Sequence, residues 1–221
     1  MHCYEFLRSQ NKLFVIGFGG GQSTPGFLKI GWTRLFDMRC YFYPKIFSYC
    51  YFSRKGPSAV PVRGLASIET AVLNSNNFSV IHSHKSAEMF RWRLSNPHFR
   101  YTVLALSPDT GTCNSYLCYY VVGDKIILFD FSFENTRIAK TLTGELTRVL
   151  RRSEYKGIVA FCKEGSLFSK MLRKVNFISN PFPKGPLSAR TPFIFYAPDE
   201  VMKRYCDPEK WVISSFDHDS M

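Results

Sequence analysis

The segment that decides the fold spans residues 13–32 and reads LFVIGFGGGQSTPGFLKIGW. It begins at 13–18 with a short run of branched, aromatic and aliphatic residues bounded by glycine, a pattern typical of a buried strand. Three consecutive glycines then predict a turn. Ser23 can cap a helix over 24–30, with Pro25 in its first turn, where a missing N–H costs nothing. The segment therefore predicts a strand–turn–helix unit.

The unit ends at a corner and recurs later in the chain. Gly31 fits the left-handed residue just past a helix end, and Trp32 opens the next strand. The same order is predicted for a strand at 157–162 and a helix at 166–175, followed by Asn176, the next-best residue for a left-handed cap. Two copies of one supersecondary unit predict two similar domains. Chance similarity of two strand–helix units is the alternative.

Proline and glycine residues mark a domain boundary near 55–64. We expect residues 1–55 to be the C-terminal part of a first domain and 80–221 to be a complete second domain. Residues 56–79 then form a linker, which includes a brief helix at 65–73.

The second domain is predicted to alternate helices with a meander of strands. A helix should begin at Ser83, place Phe90 and Leu94 on its buried face and stop before Pro97, because the residue before a proline avoids helical angles. Strands are expected at 101–106, 113–122, 125–131, 157–162 and 193–196, and helices at 136–152, 166–175 and 199–205.

Bulk composition limits the function classes without choosing one. The chain has 221 residues and a net charge of +12, which favours anionic partners such as nucleic acid, a nucleotide cofactor or an acidic membrane surface. No apolar run reaches the roughly 18–20 residues that span a bilayer. The N-terminus lacks the pattern of a signal peptide, so we expect a cytoplasmic protein. Seven scattered cysteines without a C-x-x-C pair predict no metal site.

Three motifs carry a resemblance to a known superfamily. They are S-x-x-x-F-L-K-I-G-W at 23–32, W-R-x-x-x-P-x-x-x-Y at 92–101, and W-x-x-x-x-x-D-x-D at 211–219. In this order they resemble the two-domain form of the GNAT (GCN5-related) N-acetyltransferases. The resemblance implies an α+β or α/β fold with a central mixed, largely antiparallel sheet flanked by helices. It also implies that this chain lacks most of the first domain.

The implied chemistry is acyl transfer from acetyl-CoA to an amine of a small molecule or sugar. Such transfer needs a helix N-terminus for the pyrophosphate and an acid for the departing thiolate. The pyrophosphate loop of the second domain would fall at 131–136, where no glycine stands and Glu134 would repel phosphate. Phe27 and Leu172 replace the family's tyrosine acid. We therefore expect weak CoA binding by the second domain, and the catalytic residues are unknown.

Two sets of residues are candidates for binding. The cofactor set lies in the glycine turn, where it would contact the nucleotide end of CoA: Gly20, Gln22 and Ser23. The substrate set would line one wall of an inter-domain cleft: Trp32, Arg91, Trp92, Arg93 and Tyr101. The structural alternatives are a tight glycine turn and solvated arginines on a helix surface. We expect Asp217 and Asp219 to be solvated or to pair with the basic surface.

Two other functions stay open. The stretch at 34–55 is rich in aromatic and basic residues, which suits stacking on single-stranded nucleic acid or another anionic polymer. The same stretch also fits a pair of sheet strands and a basic loop. A third possibility is a truncated, inactive relative of the acyltransferases.

Overall fold

The computed structural model describes residues 5–6, 9–10, 14–50, 59–61, 72, 80–106, 115–180, 182, 184 and 189–218. The helix predicted at 65–73 and most of the predicted domain boundary lie outside the described residues. The part of the chain that is described forms one sheet with helices on its faces.

Nine described strands form this sheet. In chain order they are β1 (Val15–Phe18), β2 (Thr33–Pro44), β3 (Ala59–Pro61), β4 (Thr102–Leu106), β5 (Tyr116–Val122), β6 (Lys125–Ser132), β7 (Gly157–Lys163), β8 (Ile178–Ser179) and β9 (Arg190–Tyr196). Their spatial order is β1-β9-β2-β7-β6-β5-β4-β3, and β8 pairs with β2. Among these pairings β6 with β7 is parallel and the others are antiparallel. The predicted mixed, largely antiparallel sheet is confirmed.

Six helices accompany the sheet within the described residues. They are α1 (Thr24–Lys29), α2 (Lys45–Cys50), α3 (Ala87–Leu94), α4 (Thr136–Arg152), α5 (Leu167–Lys174) and α6 (Asp199–Tyr205), with 3₁₀ turns at Pro208–Lys210 and Ser215–Asp217. The buried residues of α4 recur at helical spacing and include Leu142, Leu146 and Leu150, as the sequence predicts.

β2 lies in the middle of the sheet, between β7 and β9. Tyr41 pairs with Ala160 of β7, and Arg39 pairs with both Cys162 of β7 and Arg190 of β9. Residues of the predicted first domain therefore pair with strands of the predicted second domain in one sheet. The division of the chain into two domains stays a prediction.

Both faces of the sheet are covered. α4 and α5 pack against one face, around Tyr41, Tyr43 and Leu128. On the other face, Phe90 of α3 and Phe216 of the last 3₁₀ turn pack together with residues of β5 and β6. The site described below lies where β6 and β7 meet these two layers.

The corners after the two strand–helix units have the predicted backbone. Gly31 has φ +92° and Asn176 has φ +70°, so both occupy the left-handed region. The predicted start of α3 is wrong. The helix begins at Ala87 because the hydroxyl of Ser86, rather than Ser83, accepts the N–H of Met89 at 3.0 Å.

Candidate functional site

The most unusual feature of the sheet is an opening between its two parallel strands. Lys125–Leu128 of β6 pairs with Gly157–Ala160 of β7, and the pairing stops there. β6 continues along β5 through a register shift between Cys118 and Tyr119, a bulge that bends a strand away from its neighbour. Backbone groups of β7 beyond Ala160 therefore face an opening, and buried backbone groups need hydrogen-bond partners.

The opening is filled by residues 213–218, which we call the plug. The Ser215 hydroxyl accepts the N–H of Phe161 at 3.0 Å and donates to the carbonyl of Phe161 at 3.2 Å. Ser214 forms an antiparallel bridge with Cys162. Phe216 is 1% exposed and packs among the rings of Phe90 and Phe129. The plug thus supplies the partner that β6 no longer provides.

Arg93 of α3 holds the plug in place. Its Nε and Nη2 atoms donate to the carbonyl oxygen of Phe216 at 3.1 and 2.9 Å, and Nη2 also donates to that of His218 at 3.2 Å. Its guanidinium lies 5.8 Å from the ring centroid of Phe129. Arg93 therefore binds the backbone of its own chain.

A buried ion pair lies beneath the plug. Lys85 Nζ donates to Asp130 Oδ1 at 2.7 Å, and the Tyr116 hydroxyl donates to Oδ2 at 2.6 Å. The side chain of Asp130 is fully buried and that of Lys85 is 10% exposed. Lys85 Nζ also lies 4.9 Å from the ring centroid of Phe216, within the range of cation–π attraction. The pair therefore links the plug to β6.

A cavity of about 280 Å³ opens beside this pair. Its walls come from the segment before α3, the end of β7, the first turn of α5 and residues 209–217, and include Lys85, Lys163, Phe168, Glu209, Trp211 and Asp217. Lys163 Nζ donates to Glu209 Oε1 at 3.0 Å. The cavity therefore carries both lysines and carboxylates.

Asp217 is half-buried in the cavity wall rather than solvated, and the basic group that interacts with it is the buried Lys85. Asp219 lies outside the described residues. Its Oδ2 accepts the N–H of Ser214 at 2.8 Å and completes a capping box. Its Oδ1 is hidden from solvent and makes no hydrogen bond. Burial raises the pKa of the Asp217 carboxyl, and the charge of Lys85 together with hydrogen bonding by the Ser83 side chain and the Ser214 backbone partly opposes this rise.

The predicted substrate residues lie in more than one place. Arg93 and Tyr101 come together at Phe129, because the Tyr101 and Phe129 ring centroids are 5.0 Å apart. Arg91 and Trp92 lie on the exposed side of α3. Trp32 lies just before β2, next to the rings of Phe27 and Tyr196. Substrate binding by these residues stays a prediction.

The predicted cofactor residues are exposed at the turn after β1. The N–H of Gly20 donates to the Ser23 hydroxyl at 2.9 Å, and its carbonyl accepts the hydroxyl of Thr24 at 2.7 Å. Gln22 lies in the same turn. The turn therefore uses polar groups of Gly20 and Ser23 internally, and cofactor binding by these residues stays a prediction.

The sequence did not single out Lys85 or Asp130. For Asp130 a signal exists, since it is the one carboxylate within the apolar run IILFDF of β6. A charged residue in such a run is rarely buried without a partner. Lys85 offers no such signal, because its partner lies 45 residues away.

The aromatic and basic stretch at 34–55 is described as far as residue 50: residues 34–44 belong to β2, and residues 45–50 form α2. Tyr41 and Tyr43 are fully buried, and Phe36 stacks on Phe193 with ring centroids 4.8 Å apart. Arg39 pairs with Glu164 at 2.7 Å. These three rings therefore cannot stack on bases. The predicted pair of strands is wrong for the described residues, because β2 is followed by the helix α2 and not by a second strand.

Neither a membrane-spanning helix nor a metal-binding cluster is found among the described residues. Every described helix is too short or too polar to cross a membrane. Nor does the described part of the chain group three or more His, Cys, Asp or Glu side chains as a metal site would require.

The architecture is that of the GCN5-related N-acetyltransferases: an open mixed sheet, flanked by helices, whose two parallel strands separate. The sequence matches no family model and no curated protein. Among solved structures, the chain is similar to a probable N-acyltransferase from Enterococcus faecalis V583 (TM-score 0.64, 11% identity) and a GCN5-related N-acetyltransferase from Anabaena variabilis ATCC 29413 (TM-score 0.64, 7% identity). A third is a tandem GNAT protein from the clavulanic acid biosynthesis pathway (TM-score 0.58, 12% identity).

Each similarity covers 89% of this chain, with 48%, 48% and 67% of the respective solved chains. The chain thus spans about half the length of the first two. The chain has the GNAT fold, and at these identities the likeness shows the fold alone.

Acetyl-CoA is the donor that the resemblance implies, and the residues around the opening do not fit it. Phe216 fills the opening itself. On the other face, Phe131 contacts Phe168 and Phe133 with ring centroids 4.3 and 4.8 Å apart. At the start of α4, the side chain of Asn135 already caps the helix by accepting the N–H of Ile138 at 3.0 Å. A donor lying in this opening would therefore have to displace Phe216, which is part of the buried core.

The plug should also make stability depend on pH through His218. Burial, and secondarily the charge of Arg93, lower the pKa of His218, whose two ring nitrogens are buried without hydrogen bonds. The pKa of a histidine in an unfolded chain is about 6.5. Stability should therefore fall as the pH drops below this value, because only the unfolded chain then takes up the proton readily.

This dependence is measured by thermal unfolding between pH 8 and pH 5. The decrease in Tm should be smaller in His218→Phe than in the wild type. His98→Phe is the matched control, since His98 is exposed, and it should keep the wild-type slope. Equal slopes for the wild type and His218→Phe would refute this assignment.

Proposed function

We propose that this chain is a GNAT-like unit, related to the N-acyltransferases, whose cavity binds the amine of a small molecule or sugar. The single observation that carries the proposal is Asp217, an acidic residue in the wall of a cavity that is also lined by the rings of Phe168 and Trp211. The volume of about 280 Å³ lies near the lower end of the range of roughly 300–1,000 Å³ for small-molecule pockets.

The charges of the wall favour a cationic ligand. Lys85 is paired with Asp130, and Lys163 is paired with Glu209. Asp217 is therefore a third carboxylate beside these two lysines. An ammonium group would supply the opposite charge, whereas a carboxylate or phosphate would add another negative charge.

Aromatic rings of the wall support the same choice. Phe168 and Trp211 both line the cavity, and aromatic faces attract ammonium groups. The Trp211 indole N–H already donates to the carbonyl of Tyr205 at 2.7 Å, which fixes the ring in the wall. The cavity thus combines a carboxylate with apolar rings, as amine recognition requires.

The test is a titration of the purified chain with glucosamine, glucose and N-acetylglucosamine, followed by NMR chemical shifts. Glucosamine should bind at least about tenfold more tightly than the two neutral sugars, because a hydrogen bond to a charged group contributes about 1.5–3 kcal/mol. Ethanolamine and ethylene glycol form a second matched pair for a non-sugar acceptor. Equal binding of amine and neutral partner in both pairs would contradict the proposal.

Asp217→Asn is the matched variant. The amide oxygen can still accept the N–H of Ser214, so the 3₁₀ turn is retained. We expect the preference for amines to disappear while Tm stays equal or rises, because burial of the ionised carboxyl no longer opposes folding. A variant that keeps the full preference for glucosamine would exclude Asp217 as the recognising group.

The alternative of nucleic-acid binding gains no support from Tyr41 and Tyr43 of β2, which are fully buried, whereas Tyr49 of α2 is 54% exposed. Acyl transfer from acetyl-CoA is the activity that the resemblance implies for the bound amine. A catalytic residue is not assigned.

A further inference from the structure

We propose that the plug is a permanent occupant of the opening between β6 and β7, so that the chain does not bind an acyl-CoA there. This goes beyond the proposed function, which concerns an amine in the cavity beside the plug; Asp217 belongs to both the plug and the wall of that cavity. The fold implies an acyl-CoA donor, but side chains of the chain itself fill the opening between β6 and β7.

The first support is hydrogen bonding. Both backbone groups of Phe161 on the open side of β7 are bonded to the hydroxyl of Ser215, and Cys162 forms a bridge with Ser214. A donor lying along this edge would have to displace these bonds. Because a buried backbone group without a partner is costly, the edge is already satisfied without a ligand.

The second support is packing. Phe216 stacks on Phe90 at an interplanar angle of 11°. The ammonium of Lys85 lies 4.9 Å from the ring centroid of Phe216. Phe216 is buried as deeply as the residues of the main core. Displacement of the plug would expose the ring of Phe216 and the buried pair of Lys85 and Asp130 to water. The plug is thus part of the core of the domain.

The third support is that the fold blocks the donor at two further points. Arg93 fixes the plug from α3 through two carbonyl groups. On the opposite face, the rings of Phe131 and Phe168 are in edge contact at 4.3 Å, between the end of β6 and the start of α5. A donor would therefore have to displace side chains on both faces of the sheet.

The first experiment is calorimetric titration of the wild-type chain with acetyl-CoA and with CoA. We expect no saturable heat at ligand concentrations up to about 1 mM. A dissociation constant below about 0.1 mM, with chemical-shift changes at Phe129 and Phe161, would overturn the proposal. The amine titration is a separate measurement, so failure of one proposal leaves the result of the other unchanged.

Arg93→Ala distinguishes a permanent occupant from a displaceable gate. A gate would open in this variant, and acetyl-CoA binding would appear or tighten at least about tenfold, which would overturn the proposal. A permanent occupant predicts that the variant is less stable and still does not bind acetyl-CoA. If Arg93→Ala fails to fold, the wild-type titration still decides the question.

Amide hydrogen exchange tests the plug in the wild-type chain. The amide of Phe161 should exchange at least about tenfold faster in Ser215→Ala than in the wild type, because it loses its acceptor. Ser215→Thr keeps a hydroxyl and should restore protection. Ser95→Ala is the control, since Ser95 lies on the exposed end of α3. Unchanged exchange at Phe161 in Ser215→Ala would show that the plug does not occupy the opening in solution.

Discussion

Phe216→Ala should lower the free energy of unfolding by about 3–5 kcal/mol, the usual cost of truncating a buried phenylalanine. The ring is 1% exposed and contacts Phe90 and Phe129, so its removal leaves a cavity that rigid strands on either side cannot close. The loss also removes the ring that faces the ammonium of Lys85. Chemical denaturation followed by circular dichroism measures the change.

The matched control for Phe216→Ala is Trp92→Ala on α3. The side chain of Trp92 is large and aromatic but 65% exposed. Its removal should change the free energy of unfolding by less than about 0.5 kcal/mol, as is usual for surface positions. Circular dichroism rather than fluorescence is used for both variants, so that the loss of an indole does not bias the comparison. Similar losses in the two variants would mean that the plug is not part of the core.

Asp130→Ala should cost about 3–5 kcal/mol, because it leaves a buried lysine charge without its partner. Lys85 Nζ lies 2.7 Å from Asp130 Oδ1, and the side chain of Asp130 is fully buried. Tyr116 would lose the acceptor of its hydroxyl as well. Denaturation with urea at neutral pH gives the free energy of unfolding.

A double variant, Lys85→Met with Asp130→Leu, tests whether the cost arises from the stranded charge. Well-packed apolar replacements of a buried pair are often neutral, so the double variant should recover most of the stability. Asp124→Ala provides the surface control, since Asp124 pairs with the exposed Lys156 at 2.7 Å and its loss should have little effect. If the double variant is no more stable than Asp130→Ala, the stranded charge is not the cause.

These predictions connect the plug with the proposed acceptor cavity. Asp217 belongs to the plug and also forms part of the cavity wall. Lys85 lines the same cavity and lies against Phe216. The plug therefore fills the opening between β6 and β7 and also forms part of the proposed amine site. Within the plug, Phe216 contributes to stability and Asp217 to ligand selectivity.

The sequence alone determined the local units of this protein. The helix α4 is predictable because its apolar residues recur three and four positions apart, and residues at that spacing lie on one face of a helix. Gly31 and Asn176 were predictable as corners because few residues tolerate a left-handed backbone. The motifs at these corners, together with those of residues 92–101 and 211–219, also indicated the GNAT fold.

The tertiary structure decided which of these units meet. Arg93 and Phe216 are 123 residues apart, and Lys85 and Asp130 are 45 residues apart, so no local spacing reveals their contacts. The start of α3 was predicted wrongly because two serines could cap it, and packing of Phe90 against the sheet selects the register. Long-range strand pairing brought β2 between β7 and β9, and the divergence of β6 from β7 created the opening that the plug fills. Local propensity fixes the elements, whereas burial and backbone hydrogen bonding between distant segments fix the site.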